Sequence, residues 1–268
     1  MIPKTIHYCW FGKKAIPPEL KKNIESWKKY LPDYKIVRWD ETNFDIRCNK
    51  FVEGAYRAKK YAFVSDFARF AILNQSGGIY FDTDVEVLRP LDDILVAGPY
   101  MGRENKNRVA TGLGMAMEPG MAFLREMEEL YNQLKFRRAD ENEKTITVVE
   151  HVTNLLVRYG FDPNNEAIQN VCGINIYPVD YFCPQNYRTG IITMTENTRT
   201  IHHFTASWQS PAERLVHSCA VRLRRKHGEK GLVPFLEWGL HYCRRFEEKS
   251  FKSMVKTIVK KTFRIQKH

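Results

Sequence analysis

The sequence of 268 residues has no uncharged apolar run approaching the ~18 residues that a membrane-spanning helix needs. Its opening, MIPKTIHYCWFG, has no apolar segment of the length found in secretion signals. Six cysteines are present, but no two of them are spaced as a CxxC pair or as a metal-binding set. From these absences we expect a cytoplasmic protein whose cysteines are reduced thiols.

Acidic residues are scarce in the last fifth of the chain. Residues 214–268 hold 15 Lys and Arg but only 4 Glu, whereas residues 1–213 hold 27 basic and 27 acidic side chains. The formal net charge of +11 therefore belongs entirely to the C-terminal segment. Any function based on positive charge is a hypothesis about that segment alone.

Lysines and apolar residues alternate at helical spacing over about 251–265. This pattern predicts a basic amphipathic helix, which favours reversible attachment to an anionic membrane surface. The alternative is a terminal helix packed on the body with its basic face in solvent. We expect one folded domain over residues 1–212 and a basic helical tail over 213–268. The apolar positions of the helix are Phe251, Met254, Val255, Ile258, Val259 and Phe263.

The first part of the chain alternates between strand patterns and helix patterns. Strands are predicted at 6–11, 34–39 and 79–81, and helices at 19–30 and 54–75. Helices are also predicted at 118–134 and 147–159, and short strands and loops over 170–204. Such alternation is typical of an α/β fold with a mostly parallel sheet between helices.

The segment SGGIYFDTDVEVLRPL carries the clearest chemical pattern. A glycine pair and a short apolar strand lead directly into Asp82 and Asp84. Side chains two apart in an extended chain point to the same side, so both carboxylates can reach one hard divalent cation. Such a cation would neutralise a diphosphate leaving group as the bond to it breaks. The tripeptide alone is also common in solvated turns, so it is the preceding strand that favours a metal site.

Three separate motifs, IPKTIHYCWFG, SDFARFAILNQSGGIYFDTDV and IHHFTASW, resemble those of glycosyltransferase family 32 in the same order. They are also similar to the large clostridial toxin glucosyltransferases. The resemblance covers about residues 2–210 and leaves the tail without a counterpart. It implies a glycosyltransferase A-type (Rossmann-like) fold and a hexosyltransferase that depends on Mn²⁺ or Mg²⁺.

The same resemblance implies the substrates. The donor would be a nucleotide-sugar, with UDP-hexose expected and a guanine nucleotide as the alternative, and transfer would retain the anomeric configuration. The acceptor would be a glycan or a lipid-linked oligosaccharide in capsule or other surface polysaccharide synthesis. The tail would then hold the enzyme peripherally at the inner face of the cytoplasmic membrane.

Four residues acquire donor-binding roles from the resemblance. Trp10 would stack on the nucleobase and Tyr80 would lie near the nucleotide. Asp66 and Arg69, on one face of a helix, would contact the donor sugar. The alternatives are core packing for the two aromatic residues and a structural ion pair for Asp66 with Arg69.

The last motif would complete the metal site. His203 corresponds to a third metal ligand beside the two aspartates, while Ser207 and Trp208 would donate to the metal shell or to a phosphate oxygen. If the segment is extended, His202 points the opposite way, and an exchange of roles between the two histidines stays open. No catalytic nucleophile or base is identifiable from the sequence.

Two other functions use parts of the same pattern. A metal-dependent phosphohydrolase would use the two aspartates with His203, and a nucleic-acid-binding protein would use the basic tail. Neither accounts for Trp10, the Asp66–Arg69 pair and the last motif together. We therefore expect a glycosyltransferase and no nucleic acid partner.

Overall fold

The computed structural model of the chain describes residues 1–136, 146–205 and 211–228. These residues belong to two compact units. The larger unit holds residues 1–136, 146–185 and 192–204, and the smaller unit holds 186–191, 205 and 211–228. The predicted boundary at residue 212 stays a prediction, as does the tail helix over 251–265, which lies outside the described residues.

A seven-stranded sheet forms the centre of the larger unit, with the order β2-β1-β3-β6-β5-β8-β7. Five of its strands run in one direction, and β6 and β7 run in the opposite direction. A second sheet pairs β4 with β9. The strands are β1 (Thr5–Cys9), β2 (Lys35–Trp39), β3 (Gly78–Tyr80), β4 (Val85–Val87), β5 (Tyr100–Asn105), β6 (Arg108–Met117), β7 (Gln169–Val171), β8 (Ile174–Tyr177) and β9 (Thr200–His202).

Helices cover both faces of the large sheet. One apolar cluster includes Phe70 and Leu156, and a second includes Trp27 and Ile94. None of the described helices combines the length and the apolar character that crossing a bilayer requires. The helices are α1 (Pro18–Tyr30), α2 (Lys50–Arg57), α3 (Tyr61–Ser76), α4 (Asp92–Val96), α5 (Ala122–Gln133), α6 (Val148–Arg158), α7 (Val179–Phe182) and, in the smaller unit, α8 (Pro211–His227).

This arrangement confirms the predicted α/β class with a mostly parallel sheet between helices, and it fits the glycosyltransferase A-type fold that the resemblance implies. The predicted helix at 54–75 is wrong in one respect, because it is divided between α2 and α3. The chain turns at Lys59, whose φ of 58° lies in the left-handed region. Glycine usually occupies such a position, so a lysine there gave no signal that the helix ends.

The hairpin of β5 and β6 was not predicted, and it contains an irregularity that shapes the site. Met101 pairs with Met115, but the next residue, Gly102, pairs with Ala110. Residues 111–114 of β6 therefore have no pairing partners on β5, although the pairs on either side of them involve consecutive residues of β5. The sequence ATGLG, with two glycines, interrupts the apolar alternation that would identify a strand.

Candidate active site

The first and second motifs meet at one edge of the sheet. β1 and β3 are parallel neighbours in which His7 pairs with Tyr80. Trp10 follows β1, and Asp82 follows β3. Both residues therefore leave the sheet at the carboxyl ends of its strands, where open α/β sheets bind ligands.

The two aspartates converge through a turn. The backbone N–H of Val85 donates to the carbonyl of Asp82 at 3.0 Å, and Thr83 between the aspartates is buried. The expected extended geometry is therefore wrong, because the chain bends directly after Asp82. The convergence nevertheless occurs, since ligand atoms of Asp82, Asp84 and His202 all lie within 4.8 Å of one another.

Asp82 is held by a buried network. Its Oδ1 accepts from the Tyr80 hydroxyl at 3.0 Å and from Arg69 Nη2 at 3.2 Å. The same Nη2 lies 2.9 Å from Asp66 Oδ1, and Nη1 donates to Thr111 at 2.9 Å. The Arg69 side chain is only 4% exposed. The predicted pair of Asp66 and Arg69 therefore lies directly behind the first aspartate.

The surrounding charges keep the Arg69 guanidinium protonated. Burial raises the pKa of Asp66 to about 6, although the charge of Arg69 opposes that rise. Burial alone would lower the pKa of Arg69, but the negative charges of Asp82 and Asp66 outweigh it and hold that pKa above its ordinary value. The guanidinium is consequently a permanent positive charge that orients Asp82.

Gly112, in the irregular part of β6, makes room for Asp82. Its carbonyl accepts from the Asp82 N–H at 3.2 Å, and a Cβ at this position would lie 2.1 Å from Asp82 Oδ2. Real side chains do not tolerate that distance. A glycine is required here because the aspartate packs against the backbone.

Asp84 faces the second sheet. In the β4–β9 register, Val85 pairs with His202. His202 Nε2 lies 3.2 Å from Asp84 Oδ1, and both side chains are 13% exposed. His203 lies elsewhere, with its Nε2 2.9 Å from Glu86 Oε2.

His203 is therefore not the histidine beside the carboxylates. Consecutive residues of an extended strand point to opposite sides, so only one of the two histidines can face the aspartates. In the structure that histidine is His202, the alternative that the sequence left open.

The set of two carboxylates and one imidazole fits a divalent cation. Oxygen ligands suit Mn²⁺ and Mg²⁺, and imidazole also suits Mn²⁺. The Nδ1 atom of His202 is buried and has no hydrogen-bond partner in the part of the chain that the structure describes. Burial alone would lower the pKa of His202, but the carboxylates of Asp84, Asp82 and Glu104 outweigh it and raise that pKa.

The remaining predicted residues are less directly placed. Trp10 is half-buried, packs against the second apolar cluster and donates from Nε1 to the Lys14 carbonyl at 2.7 Å. Tyr80 is 1% exposed, which favours support of Asp82 over direct contact with a nucleotide. Ser207 and Trp208 lie outside the described residues. The base-stacking, sugar-binding and phosphate-binding roles of all these residues stay predictions.

Three residues near the site were not assigned from the sequence. Thr111 and Gly112 are positioned by the irregular strand β6, and Glu104 lies on β5 within electrostatic reach of His202. The only signal for the first two was the glycine-rich run ATGLG. Glu104 had none, because its role depends on strand pairing.

Comparison with known families supports the class of protein that the sequence motifs imply. Residues 17–99 match the family model described as "Glycosyltransferase sugar-binding region containing DXD motif". The match confirms the resemblance to glycosyltransferase family 32 over these residues. The matched residues include α3, Asp66, Arg69 and both aspartates.

Individual relatives match over part of their length. The chain is 37% identical to an uncharacterized glycosyltransferase of Acanthamoeba polyphaga mimivirus over 107 residues, which are 37% of this chain and 41% of that protein. It is 30% identical to the initiation-specific alpha-1,6-mannosyltransferase of Candida albicans over 133 residues, 44% of this chain and 33% of that protein. The chain thus spans less than half the length of either relative.

Among solved structures, the PaToxG glycosyltransferase is similar with a TM-score of 0.44 and 18% sequence identity. The match covers 57% of this chain and 68% of that one.

Proposed function

We propose that this chain transfers a hexose from a nucleotide-sugar to a glycan or lipid-linked acceptor, with a divalent metal and with retention of configuration. The observation that carries the proposal is the convergence of Asp82, Asp84 and His202 at the carboxyl edge of the sheet. The family match over residues 17–99 supports the same activity.

The proposed mechanism assigns a separate task to each side of the site. When bound, the metal would act as a Lewis acid that stabilises the diphosphate leaving group. Asp82, Asp84 and His202 would hold it. Arg69 and Tyr80 fix the position of Asp82 before any ligand arrives, so little reorganisation is needed. Asp66 contacts Arg69 through Oδ1, and its second carboxylate oxygen would accept a hydrogen bond from a sugar hydroxyl.

The donor that we propose is a UDP-hexose, with a guanine nucleotide as the alternative. The Candida albicans relative is named a mannosyltransferase, which puts mannose among the hexoses to be tested. For the acceptor we propose a capsule or surface polysaccharide precursor.

A donor panel tests the activity. UDP-linked and GDP-linked hexoses are incubated with the full chain and Mn²⁺, and nucleotide release is measured. We expect release from one or a few donors, its loss with a chelator, and none from Asp84→Asn. Release of phosphate from p-nitrophenyl phosphate, without nucleotide release from any sugar donor, would instead favour the phosphohydrolase.

We further propose that the basic segment 213–268 attaches the enzyme to the cytoplasmic face of an anionic membrane. The support is the charge distribution, a neutral body followed by a tail that carries the whole net charge. Each lysine near such a surface contributes roughly 1 kcal/mol. Attachment would place the enzyme beside a lipid-linked acceptor.

Vesicle co-sedimentation of full-length variants tests this attachment. Four tail substitutions to Gln should weaken binding to phosphatidylserine vesicles about a hundredfold or more, and salt should weaken binding of the unsubstituted chain. Four exposed lysines of α1 serve as the matched control, and their substitution should have little effect. Equal losses in both variants would contradict the proposal. The tail set is Lys252, Lys256, Lys260 and Lys261, and the control set is Lys21, Lys22, Lys28 and Lys29.

A further inference from the structure

One polar atom of the candidate metal site has no visible partner. His202 directs Nε2 toward Asp84, at 3.2 Å from Oδ1. Its other ring nitrogen, Nδ1, is buried and has no hydrogen-bond partner among the described residues. Histidines that bind metals almost always donate the second ring N–H to a carboxylate, a carbonyl or a water. A buried N–H without an acceptor is also destabilising, so an acceptor beside Nδ1 is expected.

Glu104 is a carboxylate of the same neighbourhood without a donor of its own. Its side chain is half-buried, and no hydrogen bond to it is found within residues 1–136, 146–205 and 211–228. The nearby cation Arg108 faces Glu150, with Nη2 3.7 Å from Oε1. Burial raises the pKa of Glu104, while the charges of His202 and Arg108 partly oppose that rise.

The strand geometry explains how Glu104 comes to this position. The pairing of β5 with β6 is regular at Arg103 and resumes at Asn105, so Glu104 is the extra residue of a β-bulge. Bulges turn a side chain away from the ordinary alternation, and they are frequent next to active sites.

Strands β5 and β9 both contact Phe182, the last residue of α7. A Cβ on Gly102, two residues before Glu104, would lie 2.9 Å from the Phe182 ring. The Thr200 hydroxyl, two residues before His202, donates to the Phe182 carbonyl at 3.3 Å. Residues two apart on β9 point to the same side, so His202 extends along the same side as Thr200. Phe182, at the end of α7, thus contacts both of the strands that carry Glu104 and His202.

We propose that Glu104 accepts the hydrogen bond of His202 Nδ1–H, directly or through one water, when Nε2 of that histidine binds a divalent cation. Glu104 is then a positioning residue, which fixes the tautomer and ring orientation of a metal ligand. The inference rests on the proposed function, since it presumes that His202 is a ligand. With Nε2 as a metal ligand, any proton on Nε2 would leave to solvent, and Nδ1 would keep its proton and direct it at the Glu104 carboxylate.

Mn²⁺ titration of the full chain by calorimetry tests the inference without any sugar donor. Glu104→Ala should weaken Mn²⁺ binding about 10–100-fold, the range found for such supporting carboxylates. Glu104→Gln should weaken it less, because an amide oxygen still accepts a hydrogen bond. Glu166→Ala is the matched control, since this exposed glutamate pairs with Lys106 and should leave binding unchanged. Thermal unfolding of each variant checks that the fold is intact.

A double-mutant cycle separates a positioning role from a structural one. His202→Ala should itself weaken Mn²⁺ binding, whereas His203→Ala should not. Adding Glu104→Ala to His202→Ala should cause no further loss, because Glu104 acts through that imidazole. Unchanged binding in Glu104→Ala, or additive losses in the double variant, would overturn the inference. Asp84→Ala tells this apart from failure of the proposed function, because retained Mn²⁺ binding in that variant would mean that the metal site itself lies elsewhere.

Discussion

The two aspartates of the DTD sequence lie two residues apart, yet their surroundings differ in kind. Asp82 contacts a guanidinium that is 4% exposed and a tyrosine hydroxyl, both on elements of the large sheet and its helices. Asp84 contacts His202 across the small two-stranded sheet. One aspartate thus has a permanent positive partner, and the other has a partner that can give up its proton.

This difference indicates how the site would accept a cation. The partner of Asp82 cannot leave, because Arg69 is fixed by four contacts, with Ser65, Asp66, Asp82 and Thr111. The partner of Asp84 is itself a potential ligand, so a cation would replace the proton between imidazole and carboxylate. The position of Asp82 is therefore fixed before a cation binds. At Asp84, the proton shared with His202 is what a cation would replace.

Replacing each aspartate by alanine should have the largest effect on activity and should separate the two roles. Both variants should lose at least a thousandfold in metal-dependent nucleotide release, since each removes a charged ligand. Only Asp82→Ala should also lower the free energy of unfolding, because it leaves Arg69 with one carboxylate fewer. Urea denaturation measures that second quantity. A comparable loss of stability in Asp84→Ala would remove the distinction between the two sides.

Replacing Arg69 tests how much its positive charge stabilises the network around Asp82. Arg69→Met should lower the free energy of unfolding by about 3–5 kcal/mol, because two poorly solvated carboxylates lose their counter-charge. Arg57→Met is the matched control, since that exposed pair with Glu53 should contribute less than about 1 kcal/mol. If both variants unfold at the same urea concentration, the Asp82 network is not the preorganised element that we describe.

The sequence was sufficient for the parts of the fold that follow local patterns. Alternating strand and helix periodicities predicted the α/β class, and the DTD segment predicted where two carboxylates leave a strand. The division between α2 and α3 was missed because Lys59 adopts the left-handed conformation that glycine usually occupies, so no glycine marks the end of α2. The hairpin of β5 and β6 was missed because the unpaired residues 111–114 break its alternation.

The site was predictable only as far as its residues carry motifs. The choice between His202 and His203 depends on how the turn that carries Asp84 meets β9, which is a contact between segments distant in sequence. Tyr80 was assigned to the nucleotide, but its burial behind Asp82 follows from packing among strands distant in sequence. Gly112 and Glu104 belong to irregular pairings that only the assembled sheet reveals.

Trp10 provides the mildest test, because it lies at the same sheet edge and contacts neither aspartate network in the described residues. If its ring stacks on the nucleobase, Trp10→Ala should weaken binding of the nucleoside diphosphate by roughly 1–3 kcal/mol. Trp10→Phe should recover part of that loss, since a smaller aromatic face remains. Calorimetry with Mn²⁺ present and the diphosphate that the donor panel identifies measures the effect.

Because Trp10 also packs against the second apolar cluster, its truncation is expected to reduce stability as well. A variant that is less stable but binds the diphosphate with an unchanged dissociation constant would show that Trp10 is a packing residue, and nucleotide recognition would then have to be sought on the Asp84 side of the site.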